Sequence, residues 1–217
     1  MFIQQLINGL SVGSVYALMA VGYALIFSLL NFTNFAHGVS VTIAAFVAYF
    51  FMVFAMESLV WAIVAGIVGA VIVALIIQRV AYRPLIKRNA RRIYLMIIGL
   101  GVSIIGDNLI IIAFSARFRV YHVNFSSESL SIFGANVGVV DLIIFAVSIL
   151  ALLVVDMVIK KTRLGLAIRA ASFSLDTTSL MGVNSYKLIF SIFFIAGGLA
   201  GVAGTLLGAK YTVYASL

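Results

Sequence analysis

The sequence predicts an all-α, polytopic membrane protein of about six transmembrane helices, with its N-terminus outside. Three observations carry that prediction. Of the 217 residues 65% are hydrophobic and only 9% are charged, at a mean hydropathy of +1.26, whereas soluble domains run at about 45–50% apolar and about 25% charged. Six stretches each supply the roughly 20 mainly apolar residues needed to cross ~30 Å of hydrocarbon. The basic residues fall into two clusters instead of scattering over the chain. A soluble monomer could not cover so much apolar surface, so soluble enzymes and nucleic-acid binders are excluded despite a formal net charge of +8. The absence of Cys removes disulfides, thiolate metal ligands and Cys nucleophiles.

The spans are expected at about 5–30, 38–56, 59–80, 93–114, 139–159 and 188–209. The first is too long for the core of a signal peptide, and its flank Met1-Phe2-Ile3-Gln4-Gln5 has no basic residue, so it reads as a retained span. The second follows Asn34-Phe35-Ala36-His37-Gly38, where Asn34 and His37 could cap the helix and Gly38 permit close packing. Pro84, just past the third span, is expected to stop that helix. The fourth carries Asp107-Asn108, ~21 Å of rise beyond Ile93. Asp141 reads as a cap at the start of the fifth, and Asp156 with Lys160 as a local pair near its end. Along the sixth, Gly197, Gly201, Gly204 and Gly208 share one face, as close helix packing in lipid requires.

The charges orient the chain. Arg79, Arg83, Lys87, Arg88, Arg91 and Arg92 cluster between spans three and four. Lys160, Lys161, Arg163, Arg169 and Lys187 cluster between spans five and six. Eleven of the 14 basic residues therefore sit in two loops separated by two spans, and the positive-inside rule makes their common side cytoplasmic. The N-terminus, the loop at Glu57 and segment 115–138 then face outside. Trp61, Tyr82, Tyr94, Tyr186 and Tyr211 fall near span ends, as interfacial aromatics do.

The basic loop 160–187 is long enough for one or two short helices between Gly165 and Gly182. Its scattered apolar residues, Leu164, Ile168, Leu175 and Met181, suit either a groove on a partner protein or the lipid headgroups. The pattern Gly165-x-x-x-Arg169-Ala170, then Leu180-Met181-Gly182-Val183-Asn184, resembles the cytoplasmic coupling loop of branched-chain amino acid ABC transporter permeases. So do Leu6-Ile7-Asn8-Gly9-Leu10-Ser11-Val12-Gly13-Ser14, Asn34-Phe35-Ala36-His37-Gly38, Tyr82-Arg83-Pro84-Leu85 and Gly99-Leu100-Gly101-Val102-Ser103-Ile104, in the family's order across nearly the whole chain.

The resemblance implies a bacterial inner (plasma) membrane subunit that pairs with a second, homologous or identical permease. It would sit on two ATP-binding subunits that hold ATP and Mg, and receive branched-chain or other hydrophobic amino acids from an extracytoplasmic binding protein. Segment 163–183 would be a coupling helix, with Gly165, Arg169, Ala170, Asp176 and Gly182 as the ATPase-coupling positions and no cofactor in the chain itself. No GxxxxGK[ST] loop occurs, so ATP chemistry belongs to partners. Two departures accompany the resemblance: Phe173-Ser174-Leu175 is more apolar than in relatives, and family members usually continue past the position of Leu217 with further spans.

Ser11, Asn34, His37, Asp107 and Asn108 are the candidate residues of the translocation path. A charge such as Asp107 within a span should face the protein interior or water, and His37 could titrate near neutral pH. An ion-coupled secondary transporter or channel built on Asp107 or His37 is the alternative. Gly9-Leu10-Ser11-Val12-Gly13 also matches the nucleophile pattern of hydrolases, but that elbow needs a strand–turn–helix setting, whereas Gly9 and Gly13 also read as a helix-packing pair. In the outer segment, Arg117, Arg119, His122 and Glu128 are candidates for contact with the binding protein; a solvated connector is the other reading.

Overall fold

The computed structural model describes residues 2–55, 58–88, 90–115, 117–120, 129–132 and 135–214. Long helices dominate: α1 (Phe2–Leu30), α2 (His37–Phe54), α3 (Leu59–Ile77), α5 (Arg92–Phe114), α6 (Val139–Lys161) and α9 (Ser185–Lys210). A π-helical turn, Gln78–Tyr82, joins α3 to the short α4 (Arg83–Lys87), so the third span runs without a break over Leu59–Lys87. Two short helices, α7 (Arg163–Phe173) and α8 (Leu175–Leu180), connect α6 to α9. The six long helices are the six expected spans.

Pro84 does not end the third helix. It lies in the first turn of α4, and the preceding turn is wound wide, with the Arg83 N–H donating to the Gln78 carbonyl. Proline has no N–H to donate and its ring crowds the preceding turn, and a wider turn accommodates both. The same turn rotates Tyr82 inward. Tyr82 is fully buried, packed on Phe32 and Phe193 with ring centroids 5.1 and 5.6 Å away, and is therefore not an interfacial aromatic. Trp61, Tyr94, Tyr186 and Tyr211 are exposed, as expected.

The bundle is built around α9. Of its most apolar window 72% is buried, against 17% for both α5 and α6. Small residues explain the difference. A Cβ on Gly201 would stand 2.4 Å from the Ile67 Cα, one on Gly204 2.1 Å from the Val41 carbonyl oxygen, and one on Gly197 2.9 Å from the Ala74 Cβ. Gly66 returns the favour from α3, with Thr205 pressed against it. Gly208 is buried on the same helix. The expected packing face of the sixth span is therefore present and grips both α2 and α3. Gly9, Gly13 and Gly38 are different: among the described residues nothing lies within 4 Å of a Cβ built on any of them.

The two basic clusters meet at one end of the bundle. Arg83 and Lys87 both lie over the Tyr186 ring, 5.9 and 6.0 Å from its centroid. At the opposite end, β1 (Arg119–Val120) pairs antiparallel with β4 (Thr212–Val213), and β2 (Ser129–Ile132) with β3 (Ala135–Gly138). The sequence reading contained no strands there. The β1–β4 pair ties the segment after α5 to the end of α9, which requires both to emerge on the same side, as the charge rule places them.

Overpacking a filled contact costs about 1–3 kcal/mol. Gly201→Ala and Gly204→Ala are expected to lower the unfolding midpoint of the purified protein in detergent, whereas Gly198→Ala, which meets open space, is expected to leave it unchanged.

Candidate coupling surface and polar sites of the bundle

At the basic end each short helix is started by a hydroxyl. The Thr162 side chain accepts from the Gly165 N–H at 3.1 Å and donates to the Val158 carbonyl at 2.5 Å, so α7 turns off α6 with no intervening loop. The Ser174 side chain accepts from the Thr177 N–H at 3.2 Å to start α8. The Asn184 side chain accepts from the Lys187 N–H at 3.1 Å to start α9. Gly182 has φ +87°, a left-handed conformation that turns the chain from α8 toward α9 and that favours glycine.

Gly165 and Arg169 stand one helical turn apart, on the same face of α7. Arg169 donates to the Ile159 carbonyl, and a Cβ on Gly165 would collide with that same carbonyl. The first two residues of the resemblance motif thus clamp α7 to the last turn of α6. Ala170 faces outward. Asp176 lies in α8, with its side chain outside the described residues.

Beyond the clamp, α7 and α8 present an apolar groove of about 450 Å³, lined among others by Leu166, Ala170, Phe173, Thr177 and Met181. Phe173 is 93% exposed and Met181 81%. The basic residues Arg163, Lys160 and Lys161 flank it in sequence and are exposed. Large apolar side chains so exposed at the charged end of a membrane protein suit burial by another protein.

The candidate path residues do not converge within the subunit. Ser11 and Asn34 are buried at opposite ends of α1 and its following turn. Asn34 accepts from the Tyr82 hydroxyl at 2.6 Å and caps nothing. Ala36, without a side-chain bond, occupies the cap position of α2. His37 is buried between α1, α2 and α9, where a Cβ on Gly22 would lie 3.2 Å from its ring and 3.4 Å from the Ala196 carbonyl, and its Nε2 has no hydrogen-bond partner. Asp107 and Asn108 lie on the sparsely covered α5. Asn108 is exposed and donates to the Ile104 carbonyl at 2.7 Å, while Asp107 is half-buried.

Asp141 is not a helix cap. Gly138 starts α6, and the Asp141 carboxylate instead accepts from the Ser11 hydroxyl at 3.1 Å and pairs with Lys210. Lys210 played no part in the sequence reading, because its two partners are 199 and 69 positions away in the chain. Asp156 and Lys160 form the expected exposed pair at 2.9 Å. Arg119 lies over the rings of Tyr49 and Phe50 and donates to the Phe114 carbonyl at 2.9 Å, so it anchors the outer segment to α2 and α5 instead of reaching outward. His122 and Glu128 lie outside the described residues.

The family described as "Branched-chain amino acid transport system / permease component" matches residues 5–216. The chain belongs to this family. It is 33% identical to the high-affinity branched-chain amino acid transport system permease protein BraD of Pseudomonas aeruginosa over 98% of this chain and 72% of that one. It is 35% identical to the LivH permease protein of Escherichia coli over the same shares. To a probable LivH of Methanocaldococcus jannaschii it is 30% identical over 89% of this chain and 62% of that one. No solved structure matches. Membership in this family makes the chain a permease component of a transport system. Ser11 is buried within a helix, and its hydroxyl donates to the Asp141 carboxylate, which is itself paired with Lys210.

The Tyr82–Asn34 bond links the turn before α2 to the π-helical turn. Tyr82→Phe leaves a buried amide oxygen without its donor, which costs about 1–3 kcal/mol. A drop in unfolding midpoint in detergent checks it, with Tyr94→Phe, at an exposed position, expected to have no effect.

Proposed function

We propose that this permease is a plasma-membrane subunit of an ATP-driven ABC importer for branched-chain or other hydrophobic amino acids. It would act with a second permease, two ATP-binding subunits and an extracytoplasmic binding protein. The observation that carries the reading is the α7–α8 platform: an exposed apolar groove at the basic end, clamped to the last turn of a transmembrane helix. A surface for a motor must both dock the motor and pass on its motion, and this one combines a docking groove with a rigid joint. Gly165 and Arg169 would make the joint, Ala170 the groove wall and Gly182 the return turn toward α9, so four of the five expected coupling positions divide between these tasks.

The path is proposed to run between two permease subunits. Within this one, α5 leaves Asn108 exposed and Asp107 half-covered, and polar groups at membrane depth require a protein or water neighbour. Ser11, Asn34 and His37 would support the helices that flank the path.

Reconstitution with candidate ATP-binding and binding proteins is expected to give uptake of radiolabelled leucine that stops when ATP is withheld. Uptake that continues without ATP and follows a proton gradient would falsify the proposal in favour of ion coupling through Asp107 or His37. Phe173→Asp and Arg169→Glu are each expected to weaken co-purification of the ATP-binding subunits while leaving the amount of permease in the membrane unchanged. Full co-purification and full uptake by both variants would remove the docking role of this face.

A further inference from the structure

At the end of the bundle opposite the platform, three helices meet through charged and polar side chains. Ser11 of α1 and Lys210 at the end of α9 both donate to one oxygen of Asp141 in the first turn of α6, and the Lys210 Nζ is 3.5 Å from the Ser11 Oγ. The Asp141 and Lys210 side chains retain only 17% and 16% of their exposure, and Ser11 is buried. Elsewhere α6 is lightly held: its buried residues are Ile144, Ser148 and Val155, and it leans mainly on α1. Its other end is joined to α7 by the Thr162, Gly165 and Arg169 contacts. A straight helix carries motion along its axis, and Ile159 and Asp141 are separated by ~27 Å of helix rise.

We infer that Ser11, Asp141 and Lys210 form an outer latch that holds the extracytoplasmic end of α6 against α9 in the resting subunit, and that displacement of α7 by the ATP-binding partners releases it. The inference rests on the ATP-driven reading above and adds to it the residues that the motion reaches. An ion pair suits a reversible closure. A half-buried pair gains from mutual attraction but loses hydration. When the helix ends part, water enters and restores that hydration, so the open and closed arrangements stay close in free energy. An apolar contact of similar size would lose free energy in proportion to the area exposed. Two discrete arrangements of one joint are what a switching transition requires.

The chain has no cysteine, so an Asp141→Cys/Lys210→Cys variant carries a unique thiol pair. In proteoliposomes holding the full transporter, a short, reductively cleavable bis-methanethiosulfonate is expected to cut ATP-dependent leucine uptake to background, and dithiothreitol to restore it. Unchanged uptake after complete cross-linking overturns the latch yet leaves the ATP-driven reading standing, because the reduced protein reports ATP dependence separately. ATP-independent uptake by the unmodified transporter overturns that reading and the latch with it. Ser11→Cys, which leaves Asp141 and Lys210 in place, covers the case in which the double variant fails to fold. Its labelling by a membrane-impermeant maleimide is expected to be several-fold faster in the vanadate-trapped than in the nucleotide-free transporter, and equal rates overturn the latch.

Discussion

Close approach of the α9 backbone to α2 and α3 is the constraint on which the rest of the structure depends. In lipid, burying an apolar side chain against another helix gains little over leaving it among acyl chains, so helices associate through tight van der Waals fit. Gly197, Gly201 and Gly204 on α9, with Gly66 on α3, remove the side chains that would keep the helix axes apart. Once α9 is sunk between α2 and α3, neither of those helices can shift without breaking backbone-to-backbone packing. These three helices, with α1 along one side, form a rigid block. Helices α5 and α6 lie outside it, with few buried residues of their own.

That division assigns different work to different helices. A block packed through glycine has almost no slack, because a displacement of even a fraction of an ångström meets hard contact. The helices attached by fewer contacts are the ones with room to move. Of the two, α6 is continuous with the α7–α8 platform, and Gly165 and Arg169 both press on its last turn. Gly165 is required there by sterics: the Ile159 carbonyl occupies the place of a Cβ. Arg169 adds a directional bond to the same carbonyl, one of the last four in α6 that lack a partner within the helix.

How much of this was readable from the chain depends on the distance over which each feature is set. The six spans, room for one or two short helices between Gly165 and Gly182, and the glycine face of α9 follow from patterns within a few turns; the structure has six long helices, two short ones over Arg163–Phe173 and Leu175–Leu180, and that glycine face. Tyr82 misled because its place near a span end fits a membrane interface equally well, and only the π-helical turn before Pro84 rotates it inward. Gly9 and Gly13 have the spacing of a packing motif, but spacing cannot say whether a helix lies opposite. The Ser11–Asp141–Lys210 cluster was illegible for a different reason. Each residue has an ordinary local explanation, and no local pattern links positions 130 and 199 apart. Asp107 and Asn108 fall between these cases: their depth in the fourth span was legible, while their sparse cover on α5 was not.

The same cluster sets the register of α1 against its neighbours and explains what is odd about its first turns. Ser11 is level with the first turn of α6 and the last residue of α9. From Ser11 to Leu30 is ~28 Å of helix rise, about the hydrocarbon thickness of a bilayer. The preceding residues, Gln4 to Leu10, therefore extend past the ends of α6 and α9, and all but Ile7 are exposed. At that height nothing among the described residues stands within 4 Å of a Cβ on Gly9. Gly13, below Ser11 but on the side of α1 turned away from the block, meets nothing for a different reason. In the closed arrangement this 29-residue helix is thus held in register with α6 and α9 by a polar contact two turns inside its own end. Side-chain chemistry, not apolar length, sets that register.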